Sequence, residues 1–244
     1  MGDGRNLQAH YRNGSHRHFS TKNGVVVYGG FGGTEAARGQ RNPTINLTTL
    51  SGDSNGDDVG FTNNSENVYH VVTGATGATL DGFTITAGNA NGIYANHSDS
   101  GGGMLNYTSN PTVTNTTFSG NSADFGGGME NFSSSPRLTN VTFSSNLATS
   151  TGGGVSNENL SSPILVNVTF IGNVAIFSGG MSNSESGNNP IILTNVTSLV
   201  IRQVKAAEWA TTLAIRRSAI RFSGEIRPAK VGRRFLTSWR AHLY

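Results

Sequence analysis

The 244-residue chain has no cysteine, six prolines, only 13% charged residues and no long apolar run. Without cysteine there is neither a disulfide scaffold nor a Cys-based zinc site. No run of 18 or more apolar residues exists, so no membrane-spanning helix is expected. Met1-Gly2-Asp3-Gly4 leads into no apolar core, so no signal peptide is expected in this chain. Leucine-rich runs at helical spacing are also missing, which excludes the helical solenoids. The net charge of +3 is unevenly spread. Residues 23–197 carry Arg38, Arg41 and Arg137 against eleven Asp and Glu, a net of −8, while residues 1–22 contribute +3 and residues 198–244 contribute +8. An acidic middle repels a phosphate backbone, so a nucleic-acid partner is not expected.

What the chain does have is glycine, 33 residues of it, and a repeat. Gly103-Met104-Leu105-Asn106, Gly128-Met129-Glu130-Asn131, Gly154-Val155-Ser156-Asn157 and Gly180-Met181-Ser182-Asn183 recur at spacings of 25, 26 and 26 residues. Pro111, Pro136, Pro163 and Pro190 fall at matching places, as do the Phe-x-x-Asn pairs Phe118/Asn121, Phe143/Asn146 and Phe170/Asn173. Apolar positions within a unit alternate, as in Pro163 to Ile171, and Gly, Asn and Ser clusters separate the runs. That is strand and turn chemistry. Propeller blades need roughly 40 residues, which leaves one turn of a parallel β-helix per unit. The expected fold is therefore all-β, a right-handed parallel β-helix of about 6–7 coils over residues 23–197. Handedness follows the general rule for parallel crossovers. In such a stack Phe118, Phe143 and Phe170 form an internal aromatic ladder. Asn121, Asn146 and Asn173 bond one another at a turn, and Gly103, Gly128, Gly154 and Gly180 mark a tight bend.

The two ends, residues 1–22 and 198–244, share neither the composition nor the period. Both are consistent with text read out of frame. Ser198 to Thr212, shifted by two bases with permitted codons, spells Phe-Ser-Asn-Ser-Ala-Ser-Lys-Gly-Gly-Gly-Met-Gly-Asn-Tyr, and Glu208-Trp209 forces Met or Val in that frame. Arg5 to Lys22, shifted by one base, likewise yields turn and strand text. On that basis the basic tail and the cluster His10, His16 and His18 are accidental.

Candidate site residues are few. Asp53, Asn55 and Asp57 place oxygen ligands at alternate positions, as calcium loops do, although Asp58 stands where such a loop has glycine. Calcium is the one candidate cofactor. Glu35 and Arg41 flank a Gly-rich loop and are expected to pair. Asn115, Asn140, Asn167 and Asn195 head Asn-x-Thr triplets with the period, and are expected to be ladder positions before glycosylation sites. Parallel β-helices also host polysaccharide lyases and hydrolases, and a glycosidase needs two facing carboxyl groups. Here Asp81, Asp99, Asp124, Glu130, Glu158 and Glu185 fall at differing repeat phases, so no catalytic residue is expected.

The Phe-x-x-Asn and Gly-Gly-Gly-Met/Val pairing resembles the repeats of the polymorphic outer membrane protein type, with Gly103, Gly128, Gly154 and Gly180 where that repeat has Ala. Val27-Tyr28-Gly29-Gly30-Phe31 through Leu80-Asp81-Gly82-Phe83-Thr84-Ile85 is similar to bacterial right-handed β-helix surface proteins. The resemblance implies a fragment of a secreted or cell-surface passenger, structural or adhesive, without catalysis of its own. It also implies an extracellular or outer-surface parent, with a host-surface or matrix protein or a carbohydrate as partner. A polysaccharide-active lyase or hydrolase is the alternative.

Overall fold

A computed structural model of the chain describes residues 7–8, 18–184, 191–199 and 202–203. Short β-branched runs between Gly and Asn corners build three sheets, of eleven, six and five strands. The largest holds two ranks. One rank runs Val26–Tyr28, Thr79–Asp81, Thr112–Thr114, the first half of Arg137–Ser144, the first half of Ile164–Ile171, then Ile192–Thr194. The other runs Leu7–Gln8, Thr49–Ser51, Thr84–Thr86, Thr117–Ser119, the second halves of the same two long strands, then Thr197–Leu199. Met104–Tyr107, Met129–Phe132, Val155–Glu158 and Met181–Asn183 belong to the six-stranded sheet. Asn89–Ala90, Ser122–Phe125, Leu147–Thr151 and Val174–Phe177 belong to the five-stranded one. The chain visits the sheets in a fixed order. Every pairing between these strands is parallel, so each repeat lies against its predecessor.

Strand alternation sends one face inward. Leu80, Val113, Leu138 and Leu165 share one register position, and Ile85, Phe118, Phe143 and Phe170 share another; all are buried. The Phe118, Phe143 and Phe170 rings stack at 4.9 and 5.2 Å with tilts of 12° and 11°. Burying each such side chain stabilises by roughly 1.5–3 kcal/mol. The rings also explain the glycines beside them. A Cβ at Gly128 would lie 2.7 Å from Phe143 Cδ1 and 2.5 Å from the Gly154 carbonyl oxygen, and at Gly154 it would meet Phe170 Cδ1 at 2.8 Å. Gly103 faces Phe118 and the Gly128 oxygen in the same way, and the Gly180 oxygen closes on Gly154.

The pairing reaches into both irregular ends. Phe19–Ser20 pairs with Val72–Thr73, and Phe19 packs on the core. At the other end Thr197 keeps register with Thr169, but Ser198 falls opposite Phe170, and Arg202 and Gln203 fall opposite Val174 and Ala175. Ser198 Oγ is shut off from solvent with no hydrogen-bond partner among the described residues. His10, His16 and nearly all of the basic tail lie outside those residues. His18 has its ring 6.3 Å from His70.

Candidate functional site

Three features on the stack carry chemistry: an outward wall with a groove, an acidic excursion, and a covered carboxylate. The wall follows from strand alternation. Thr49, Thr84, Thr117, Thr142, Thr169 and Thr197 occupy one outward register position, repeating at roughly 4.8 Å. Beside them Asn115, Asn140, Asn167 and Asn195 turn the corner at φ 46–54°, a left-handed conformation that Asn tolerates. Their side chains are exposed and joined: each of Asn140, Asn167 and Asn195 donates Nδ2–H to the Oδ1 of the preceding unit at 3.0–3.1 Å. Asn115 donates to Asp81 Oδ1 at 2.9 Å. The Nδ2 atoms that glycosylation would consume are thus ladder donors.

Asp81 holds Arg41 on its other oxygen, and Arg41 also donates to the Gly29 carbonyl. The expected Glu35–Arg41 pair does not form. Glu35 is instead a cap for its own loop, accepting the N–H groups of Gly32, Gly33 and Thr34, because a reach of one to three residues to free backbone donors is shorter than one across the loop. Held by Arg41, the segment around Pro43 and Leu47 stands beside the wall. It encloses a groove of about 460 Å³ whose other side is Thr84, Thr117, Asn115 and Asn140. Leu47 is 60% exposed.

The acidic excursion, residues 53–67, leaves and rejoins the stack at one point, where Val68 N–H bonds the Gly52 oxygen. It is pinned by Asn89 Nδ2 to the Asn64 oxygen and by Asn67 Nδ2 to the Ala87 oxygen, each 2.8 Å. Asp53 Oδ1 accepts Gly56 N–H at 2.6 Å, and Asn55 Oδ1 accepts Asp57 N–H at 3.1 Å. Carboxylate oxygens of Asp53, Asp57, Asp58 and Glu66 all come within 4.8 Å of one another. Of the triad Asp53, Asn55 and Asp57, the two acids converge and Asn55 is spent on the turn. Asp58 and Glu66 take its place. Burial pushes the Asp58 carboxyl up, with the charges of Asp53, Glu66 and Asp57 adding to it, against a hydrogen bond from Asn67.

The covered carboxylate is Glu130. On a strand that alternates its side chains it falls between Met129 and Asn131, yet it is 1% exposed; a Cβ at Gly126 would lie 3.0 Å from its Cα, and residues 91–101 pass nearby. His97 of that segment packs at 4.8 Å on both Tyr107 and Phe132, and Asp99 and Ser100 are buried. Burial pushes its carboxyl well above the ordinary range, and Glu158 and Asp99 add to the shift, against an interaction with the Ser156 hydroxyl too loose in geometry to satisfy either oxygen fully. Asp99, Glu130 and Glu158, at differing repeat phases in the sequence, are therefore neighbours in space.

Sequence reasoning missed two further ladders. Asn106, Asn131, Asn157 and Asn183, the Asn of each Gly-x-x-Asn, join Nδ2 to Oδ1 at 2.7–2.8 Å. Ser134 and Ser161 Oγ accept the N–H groups of Ser109 and Ser134 at 2.9 Å. Their sequence signal was the strict period itself, read only as turn text. Compared with known proteins, the chain matches no family model, no curated protein and no solved structure.

Proposed function

We propose that residues 23–197 wind as a right-handed parallel β-helix and serve as a non-catalytic, adhesive segment of a secreted or cell-surface protein. The polymorphic-outer-membrane-protein-type resemblance and the right-handed crossover rule support the handedness. One observation carries the functional reading: the groove where Pro43 and Leu47 face the Thr84–Thr117 hydroxyls and the Asn115–Asn140 amides. An apolar side chain opposite regularly spaced hydroxyls and amides suits a carbohydrate, whose rings offer an apolar face and a polar rim. The polysaccharide-cleaving alternative is disfavoured by placement. Glu130 is 1% exposed, and Arg41 is engaged by Asp81, so neither is open to a polymer in the groove.

The test is a glycan array probed with the whole chain and with Leu47→Arg, which fills the groove from an exposed position. Saturable glycan binding lost in Leu47→Arg supports the proposal. Equal binding by both removes the groove from it, and cleavage of any bound glycan replaces adhesion with catalysis.

A further inference from the structure

We propose that the 53–67 excursion binds a divalent cation, calcium in preference to magnesium, through Asp53, Asp57, Asp58 and Glu66. Four carboxylates converge there within 4.8 Å, and residues 52–68 contain no Lys or Arg to offset them. Convergence alone would not make a site, since exposed acids often cluster. The second observation is what lies behind them. Asn67 is 2% exposed and its amide reaches the cluster, with Nδ2 2.7 Å from Asp58 Oδ2. Its Oδ1, together with Asp58 Oδ1 and Glu66 Oε1, is closed to solvent and has no donor among the described residues.

Leaving buried oxygens without a partner is costly. A proton would satisfy one of the three, and a water could donate to two at most. A cation among the acids would supply what such oxygens lack and relieve the mutual repulsion of the carboxylates at once.

Ligand type and geometry select the ion. Calcium accepts irregular sets of six to eight oxygens and several carboxylates at once, whereas magnesium demands near-ideal octahedral geometry and sheds its waters reluctantly. Four carboxylates on one irregular excursion suit calcium. Bound calcium would lock the excursion against the stack, a role separate from whatever the groove holds.

Isothermal titration of the full, chelator-stripped chain with calcium chloride tests the site. One saturable site is expected, with Kd in the range of roughly 10⁻⁵ to 10⁻³ M, and magnesium chloride should bind at least about tenfold more weakly. In the double variant Asp57→Asn, Glu66→Gln the affinity should fall by tenfold or more. Neither side chain holds a backbone N–H in the turn, so the far-UV circular dichroism should match the parent; Asp57→Asn alone serves if it does not. Absence of saturable calcium binding in the parent overturns the proposal. So does a variant that binds as tightly as the parent, or a magnesium affinity equal to that for calcium.

Discussion

The molecule uses the same device, an asparagine ladder, on its inside and on its outside, and the two are not equivalent. Asn121, Asn146 and Asn173 are 0–2% exposed. Inside, Asn146 Nδ2 donates to the Phe118 oxygen and to Asn173 Oδ1, while its own Oδ1 accepts both Asn121 N–H and Asn121 Nδ2–H. Outside, Asn140 makes one bond up and one bond down the ladder, with solvent around it. Water can replace every outer bond and none of the inner ones. Burial, not the bond itself, decides what each ladder contributes.

The largest break of that comparison is Asn146→Ala. It takes buried partners from the two flanking units, the Phe118 oxygen and both Asn121 donors on one side and Asn173 Oδ1 on the other, and the expected cost is roughly 3–5 kcal/mol by urea denaturation. Glu130→Gln tests burial by itself, since Glu130 is buried yet belongs to no asparagine ladder. Its pKa is raised in the folded state, so the fold resists its ionisation. Stability of the parent is therefore intact below the ordinary Glu range near 4.5 and declines as pH rises above it. The Gln variant should show a higher Tm than the parent at pH 7 and no advantage at pH 4. An equal Tm difference at both values would mean the effect is not Glu130 ionisation.

Ser198→Phe extends the inner ring ladder by one step, facing Phe170 and removing a buried unpartnered hydroxyl. It should stabilise by about 1–2 kcal/mol in the same denaturation assay. It also restores the residue that the shifted frame spells at that position. Coding DNA in which Glu208-Trp209-Ala210 does not read Met-Gly after the shift would refute the out-of-frame account. The smallest effect belongs to Asn140→Ala, at about 0.5 kcal/mol. A loss matching that of Asn146→Ala would erase the inside–outside distinction.

Periodicity made the all-β class and the parallel stacking legible, because a 25–26-residue unit with alternating Val, Thr and Phe has few ways to bury its apolar face. It could not reach what breaks the period. Glu66 joins Asp53 only because Gly52 and Val68 close the excursion. Asp58, which looked like a defect in a calcium loop, belongs to the acidic cluster for the same reason. Glu130 sits where Leu105 and Ser156 sit in neighbouring units, and no local pattern announces that this carboxylate is buried. Pro43 and Leu47 reach the groove through Arg41 and Asp81, residues 40 positions apart in the chain.

The ladders also have a direction. Inner amides donate toward the C-terminal end, Asn121 to Asn146 to Asn173 and Asn106 through Asn183. Outer amides donate toward the N-terminal end, from Asn195 to Asn115 and onto the Asp81 carboxylate. Aligned amides sum to a dipole, as in a helix; here the outer ladder opposes the two inner ones and terminates on an anion of the favourable sign, the Asp81 carboxylate. Each added unit extends both senses together, so the ladder dipoles partly cancel as the stack lengthens.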